Sequence, residues 1–267
     1  MTIKTTTLYD NTMRFKKNRV FVVGHINGEA DLLKNLLDEL DNYYIINKHD
    51  TVVFTGNYFG EHGNNFDVFK NMDDLISDTA AKPILLLGPN EAQMSYNPLS
   101  YLLKHDIGKK IRQDYFNFKN IPSKEKLTYK EFSALIINRK DELKEIVSML
   151  QKWEHQIGLK YFYEGTNFFV TPTSVNATKK TLAEQELSEL IWHQPVNYSK
   201  SFEKYVIGNM NSKETKRTPR LGASMLDLYT NPSFTGKLFA CVFESNTKDF
   251  TTKNVQFIDS GELKKVA

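Results

Sequence analysis

The sequence has a single cysteine, Cys241, among its 267 residues. One thiol excludes an intramolecular disulfide and any zinc site built from several cysteines. Cys241 lies in the apolar run 238–243, and that position is typical of a buried thiol in a strand rather than of a nucleophile.

Long apolar runs are also lacking. No window approaches the roughly 18 consecutive apolar residues that a membrane-spanning helix needs. Residues 1–18 mix threonine, aspartate, asparagine and lysine, without the apolar core of a signal peptide. We therefore expect a cytoplasmic protein that makes no contact with a membrane.

The sequence has little excess charge of either sign, with a net charge of +3. A dedicated nucleic-acid-binding protein usually has a larger and more clustered positive charge. The sequence also has no Gly-x-x-x-x-Gly-Lys phosphate loop and no Gly-x-Ser-x-Gly elbow, so no motif indicates kinase-type or serine-hydrolase chemistry. What the chain does have is 40% hydrophobic and 12% aromatic residues, which is enough for a packed core.

Three apolar, β-branched runs each end in a glycine-containing loop. They cover residues 20–23, 51–54 and 84–87, and helical spacing of apolar residues follows the first two. Repeated strand–loop–helix units favour an α/β fold with a parallel core. In such folds the loops at the carboxyl ends of the strands usually carry the chemistry.

The rest of the chain is predicted to contain a helical insertion and then several short strands. Residues 95–165 are mostly helical, and the clearest helix runs over 130–153. Further strands are predicted at 168–171, 205–207, 225–229, 237–243 and 255–258. We expect an irregular lead-in at 1–18, one domain over 19–260 and a tail at 261–267.

Five loops that follow predicted strands resemble the signature loops of one enzyme family. The loops are 24–28, 56–62, 87–91, 172–174 and 208–210. Their order and placement resemble the calcineurin-like metallophosphoesterases, in particular the phosphoprotein phosphatase branch with its bacterial and phage serine/threonine phosphatases and diadenosine tetraphosphatases. The residues that match are Gly24, Gly28, Gly56, Tyr58, Gly88, Glu91, Trp192 and Gly208. The resemblance implies a four-layer α/β/β/α sandwich, with two mixed sheets flanked by helices.

The residues that carry the family's chemistry are all replaced in this sequence. In the family, aspartate, histidine and asparagine hold two metal ions, a further histidine protonates the leaving group, and arginines bind the phosphate. The metal-ligand positions fall on His25, Asn27, Asn57, Pro89, Pro172 and Asn209. The general acid falls on Asn90, the aspartate that orients it on Gly60, and the arginines on Glu61, Leu87 and Gln194.

These replacements remove several independent functions. Two neighbouring divalent cations need anionic ligands to offset their repulsion, and Asn57 is neutral where the family has its bridging carboxylate. Pro89 and Pro172 have no side-chain donor atom. Glu61 would repel a phosphate that an arginine would bind, and Asn90 has no proton to give. We therefore expect no catalytic residues and no metal or other cofactor.

The resulting hypothesis is a catalytically inactive phosphatase-like protein, a pseudophosphatase, that binds or regulates a partner, expected to be another protein. One alternative is an active phosphoesterase with a rearranged site around His25, His62, Glu61 and Glu91, holding one divalent metal such as manganese or zinc. A second alternative is a nucleotide or nucleic-acid binder. Its binding loop would be formed by Lys213, Lys216, Arg217 and Arg220, although a solvated loop is the commoner meaning of such a charge cluster.

Overall fold

Two β-sheets packed against each other form the centre of the fold in a computed structural model of the chain. The structure describes residues 18–78, 83–120, 140–157, 160–176, 178–192, 202–209 and 218–261. The strands are β1 (Arg19–Val23), β2 (Thr51–Phe54), β3 (Ile84–Leu85), β4 (Tyr163–Glu164), β5 (Phe168–Val170), β6 (Tyr205–Gly208), β7 (Arg220–Leu221), β8 (Met225–Asp227), β9 (Phe239–Glu244) and β10 (Gln256–Asp259). The helices are α1 (Ala30–Tyr44), α2 (Asn65–Asp78), α3 (Pro89–Tyr96), α4 (Pro98–Lys104), α5 (Asp106–Phe118), α6 (Lys140–Ile157), α7 (Leu187–Trp192) and α8 (Pro232–Thr235).

Both sheets are mixed. The first has the order β10-β9-β1-β2-β3, in which β1, β2 and β3 are parallel and β9 runs antiparallel to β1. The second has the order β4-β5-β6-β8-β7, in which β5, β6 and β8 are parallel and the short edge strands β4 and β7 are antiparallel. The carboxyl ends of the parallel strands therefore share one edge within each sheet.

The side chains of β1 show how the layers arise. Phe21 and Val23 pack in a cluster with the helices on the outer face of the first sheet. Val20 and Val22 belong to the cluster between the two sheets. Successive side chains of a strand point to opposite faces, so a strand buried on both faces is apolar throughout. A third cluster, with Phe169 and the helix α7, covers the outer face of the second sheet.

This order of helices, sheet, sheet and helices confirms the predicted α/β/β/α sandwich with two mixed sheets. Some strand boundaries were wrong. The third strand ends at Leu85 rather than at residue 87, because the backbone N–H of Leu87 donates to the carbonyl of Lys160 at 2.8 Å. β9 begins at Phe239 rather than at residue 237, because the N–H of Leu238 donates to the hydroxyl of Ser260 at 3.1 Å.

The predicted helical middle contains α4, α5 and α6. Residues 130–139 of the helix expected over 130–153 lie outside the described residues, and α6 covers the remainder. Most of the predicted lead-in and tail also lie outside them, so the domain boundaries stay a prediction. None of the described helices is both long and apolar enough to cross a membrane.

Candidate functional site

Loops from both sheets meet at the carboxyl ends of their parallel strands. His25 follows β1, Asn57 follows β2, Pro172 follows β5 and Asn209 follows β6. Hydrogen bonds join these four residues, and we call them the His25 network. The structure therefore brings together four of the six positions predicted as former metal ligands.

The imidazole of His25 uses both of its nitrogens within the network. Nε2 lies 2.8 Å from the carbonyl oxygen of Pro172, and Nδ1 lies 3.2 Å from Nδ2 of Asn57. A carbonyl oxygen can only accept a hydrogen bond, so Nε2 carries the proton and donates it. Nδ1 is then unprotonated and accepts from the amide of Asn57, which fixes the tautomer of His25.

The orientation of Asn57 is set by a backbone group. Its Oδ1 accepts from the N–H of Asn90 at 3.0 Å, which leaves Nδ2 to face His25. Asn90 also donates its own Nδ2 to the carbonyl of Phe59 at 2.7 Å. The position predicted for the general acid therefore supports the loop and is joined to the His25 network.

Asn209 is oriented in the same manner from the other sheet. Its Oδ1 accepts from the backbone N–H of His25 at 3.1 Å, and its Nδ2 donates to the carbonyl of Pro172 at 3.1 Å. The Pro172 carbonyl thus accepts two hydrogen bonds, one from each neighbour. Space here is tight, since a Cβ placed on Gly24 would lie 3.2 Å from Oδ1 of Asn209.

Burial keeps His25 neutral. His25 is 3% exposed, and burial lowers its pKa from 6.5 to about 3, although the hydrogen bond to Pro172 acts in the opposite direction. The ring of Tyr229 packs edge-on against the imidazole, with 5.9 Å between the ring centroids. With neutral amides as its polar partners, the His25 network carries no net charge.

Glu91 is the centre of a second buried cluster in the same loops. One carboxylate oxygen accepts from the N–H of Asn57 at 2.8 Å, and the other accepts from those of Tyr58 at 2.9 Å and Phe59 at 3.3 Å. We call these four residues the Glu91 hub. Burial raises the pKa of Glu91 to about 7, against the effect of these donors, which favour the carboxylate.

The first two loops interlock through their backbones. The N–H of Gly28 donates to the carbonyl of Tyr58 at 2.8 Å, and the Gly28 carbonyl accepts from Asn64 at 2.8 Å. A Cβ placed on Gly60 would lie only 2.1 Å from the carbonyl oxygen of Asn27. The position that the resemblance assigns to an orienting aspartate is therefore closed to any side chain in this backbone.

Residues that the sequence analysis missed hold the second loop in place. The buried amide of Asn65 accepts from the N–H of Gly60 at 2.8 Å and donates to its carbonyl at 3.0 Å. Asp114, on α5, accepts from the backbone N–H of Asn65 at 2.8 Å and pairs with Lys110. The available signal was an aspartate on the apolar face of a predicted helix, which needs a polar partner.

The remaining predicted positions are spread around this centre. Leu87 is buried, Pro89 and Asn27 are half-buried, and Glu61 and His62 are exposed. Arg220 is exposed in β7, whereas Gln194, Lys213, Lys216 and Arg217 lie outside the described residues. The basic binding loop and the histidine-based metal site therefore stay predictions.

The residues present do not fit the two metal ions that the resemblance implies. Such a centre needs carboxylates between and around the cations, and the His25 network has none. Both nitrogens of His25 and both amide atoms of Asn57 and Asn209 are already used by partners. Within the described residues, no three His, Cys, Asp or Glu side chains are grouped so as to hold a metal.

No protein-family model matches the sequence, and no curated protein sequence matches it either. Solved structures do resemble it. A protein assigned as a diadenosine tetraphosphatase has a TM-score of 0.52 and 14% identity, over 92% of this chain and 95% of that chain. A serine/threonine phosphatase from Saccharomyces cerevisiae has a TM-score of 0.51 and 9% identity, over 91% and 79%. A mutant of a cold-active protein tyrosine phosphatase has a TM-score of 0.51 and 15% identity, over 86% and 76%.

The chain has the calcineurin-like metallophosphoesterase fold. This confirms the fold that the loop glycines predicted. At identities of 9–15% the similarity shows the fold alone and leaves the activity open. The metallophosphoesterase fold explains why loops from both sheets meet at one edge. The chemistry at that edge depends on the side chains in those loops.

Proposed function

We propose that this chain is a phosphatase-like protein that does not hydrolyse phosphate esters and acts by binding a partner. The observation that supports this most strongly is the His25 network. Its imidazole and amide groups are satisfied by one another and by backbone groups, so no lone pair of His25 is left for a metal. A metal-activated hydroxide is the nucleophile of this fold's usual chemistry, and these side chains offer it no support.

The groups that would bind and protonate a phosphate ester give independent support. Glu61 is an exposed carboxylate at a place where a guanidinium would be needed, so it repels a phosphate. Asn90 cannot donate a proton to a leaving group, and its amide is engaged with Phe59. Both replacements support the proposal independently of the His25 network.

We propose a protein as the partner. Among the described residues of the site loops and their continuations, the exposed stretch is 61–64, next to a backbone anchored by Asn65 and Asp114. A preorganised exposed loop loses little conformational entropy on binding, which favours its use as a contact surface. Quantitative affinity capture should recover a partner with the native chain, and Glu61→Lys with His62→Ala should reduce the recovery of that partner. Equal recovery with both chains would show that residues 61–64 are not the contact.

Hydrolysis assays test the inactive state directly. With Mn²⁺ added, the purified protein should hydrolyse p-nitrophenyl phosphate, a phosphopeptide and a dinucleoside polyphosphate no faster than buffer. The double variant His25→Ala/Asn57→Ala is the control, because it removes the imidazole and the amide at the centre of the site while leaving contaminating activities unchanged. Turnover that requires metal, is abolished by a chelator and is lost in the variant would contradict the proposal. Together with stoichiometric manganese or zinc by elemental analysis, it would favour the rearranged phosphoesterase.

A further inference from the structure

The His25 network connects the two sheets as well as occupying the loops. His25 and Asn57 follow strands of the first sheet, whereas Pro172 and Asn209 follow strands of the second. Two hydrogen bonds cross between the sheets, from the backbone N–H of His25 to Asn209 and from its Nε2 to the Pro172 carbonyl. Elsewhere the sheets are in contact through the apolar cluster that includes Val22 and Ile207, and the amide of Asn167, before β5, donates to the carbonyls of Asn246 and Thr247, after β9.

The geometry of this connection allows little freedom. Asn209 is fully buried and His25 nearly so, so neither can exchange its partner for water without opening the site. Backbone N–H groups of His25 and Asn90 orient the two amides, and the Pro172 carbonyl orients the imidazole. These hydrogen bonds favour one arrangement of the side chains, because turning the imidazole or either amide would break them and leave polar groups unpaired.

We propose that the His25 network is a metal-independent crosslink that fixes one sheet against the other at the edge where the loops meet. The residues at four former ligand positions then have a structural role, since they join the sheets by neutral hydrogen bonds instead of through shared cations. This inference does not depend on any partner. Its tests measure stability and ring chemistry, so they can fail without affecting the hydrolysis result.

Thermal unfolding of the native chain is the first test, because it needs no variant. Ligands that bind only the folded state raise the unfolding temperature, so a required metal would reveal itself by a saturable increase. Unfolding temperatures in excess EDTA and in Mn²⁺ or Zn²⁺ should agree within about 2 °C. A saturable rise larger than this would overturn the crosslink, even if no phosphate ester is hydrolysed.

Substitutions within the network are the second test. Asn209→Ala and His25→Ala should each lower the unfolding temperature by about 5 °C or more, because each leaves buried polar groups without partners. The matched controls are the exposed residues Asn246 and His62, and Asn246→Ala and His62→Ala should each shift it by less than about 2 °C. Both network side chains donate to the Pro172 carbonyl, so the double variant should lose less than the sum of the single losses. Network variants as stable as their controls would overturn the proposal.

Nitrogen-detected NMR of the native chain covers the case in which a network variant does not fold. The crosslink requires His25 to carry its proton on Nε2 and to keep it through slow exchange with solvent, with the same ring resonances when Zn²⁺ is added. A proton on Nδ1, or a zinc-dependent change in the His25 ring nitrogens, would overturn it. The exposed imidazole of His62 is the internal reference for rapid exchange.

Discussion

The Glu91 hub and the His25 network lie in the same loops, yet they hold those loops together by different means. Glu91 binds three backbone N–H groups, which almost any residue supplies, and it is one of the residues that match the metallophosphoesterase pattern. The His25 network depends on side-chain chemistry, and all four of its residues depart from that pattern. The backbone scaffold of such a site can therefore persist while its ligand chemistry is exchanged.

Burial pushes both centres towards their neutral forms, but with opposite consequences for the pKa. It raises the pKa of the Glu91 carboxyl to about 7 and lowers that of the His25 imidazole to about 3. Three N–H donors oppose this effect at Glu91, and the hydrogen bond to the Pro172 carbonyl opposes it at His25. We therefore expect the stability of the protein to depend strongly on the carboxyl group of Glu91 at one centre and on the neutral imidazole of His25 at the other.

The largest expected effect is from removing the Glu91 carboxyl. Glu91→Ala leaves three N–H groups unpaired, two of them buried, and we expect it to lower the free energy of unfolding by about 3 kcal/mol or more. Urea unfolding measures this change. Glu61→Gln is the matched control, because Glu61 is an exposed glutamate on a neighbouring loop and its substitution should cost less than about 0.5 kcal/mol. A loss below 1 kcal/mol in Glu91→Ala would show that the hub does not organise the loops.

The pH dependence of stability separates the two centres. Glu91 has a folded pKa above its ordinary 4.5, so its contribution is complete below pH 4.5 and is lost as the pH rises towards 7. His25 has a folded pKa below its ordinary 6.5, so its contribution is complete above pH 6.5 and is lost as the pH falls towards 3. Between pH 4.5 and 6.5 the two slopes, each about 1.4 kcal/mol per pH unit, oppose and largely cancel.

Single variants should expose each slope. In His25→Asn, stability should rise relative to the native chain as the pH falls from 6.5, because the cost of keeping His25 neutral is gone. In Glu91→Gln, stability should fall relative to the native chain over pH 7 to 4.5, because a glutamine cannot take up a proton. The urea midpoint of each variant is compared with that of the native chain at the same pH. The difference cancels the contribution of the other titrating groups, including Asp50, whose pKa is lowered. Difference curves that are flat for both variants would contradict the comparison.

The same division between backbone scaffold and side-chain chemistry separates what the sequence could predict from what it could not. The glycine loops and the continuous apolar runs predicted the α/β core, and the resemblance carried by those loops implied the sandwich, because backbone turns and burial patterns leave residue-type signatures. The two-residue strands β4 and β7 were missed, since so short a run has no periodicity. At the site, the loss of ligands was visible in residue types. The use of the Pro172 carbonyl as the shared acceptor was not, because a backbone group has no residue type.

Asn90 contacts both centres, through Asn57 and through Phe59, and it gives the smallest expected effect because it is half-buried. Its N–H reaches Asn57 whatever its side chain, so Asn90→Ala should lose only the bond to Phe59, about 1 kcal/mol in urea unfolding.

Asn90→His restores the residue type of the family's general acid. We expect hydrolysis of p-nitrophenyl phosphate with Mn²⁺ to stay at the buffer rate in this variant, because an acid cannot act where no nucleophile is generated. Metal-dependent turnover in Asn90→His would mean that the loops still bind metal, and the separation of scaffold from ligand chemistry would then be wrong.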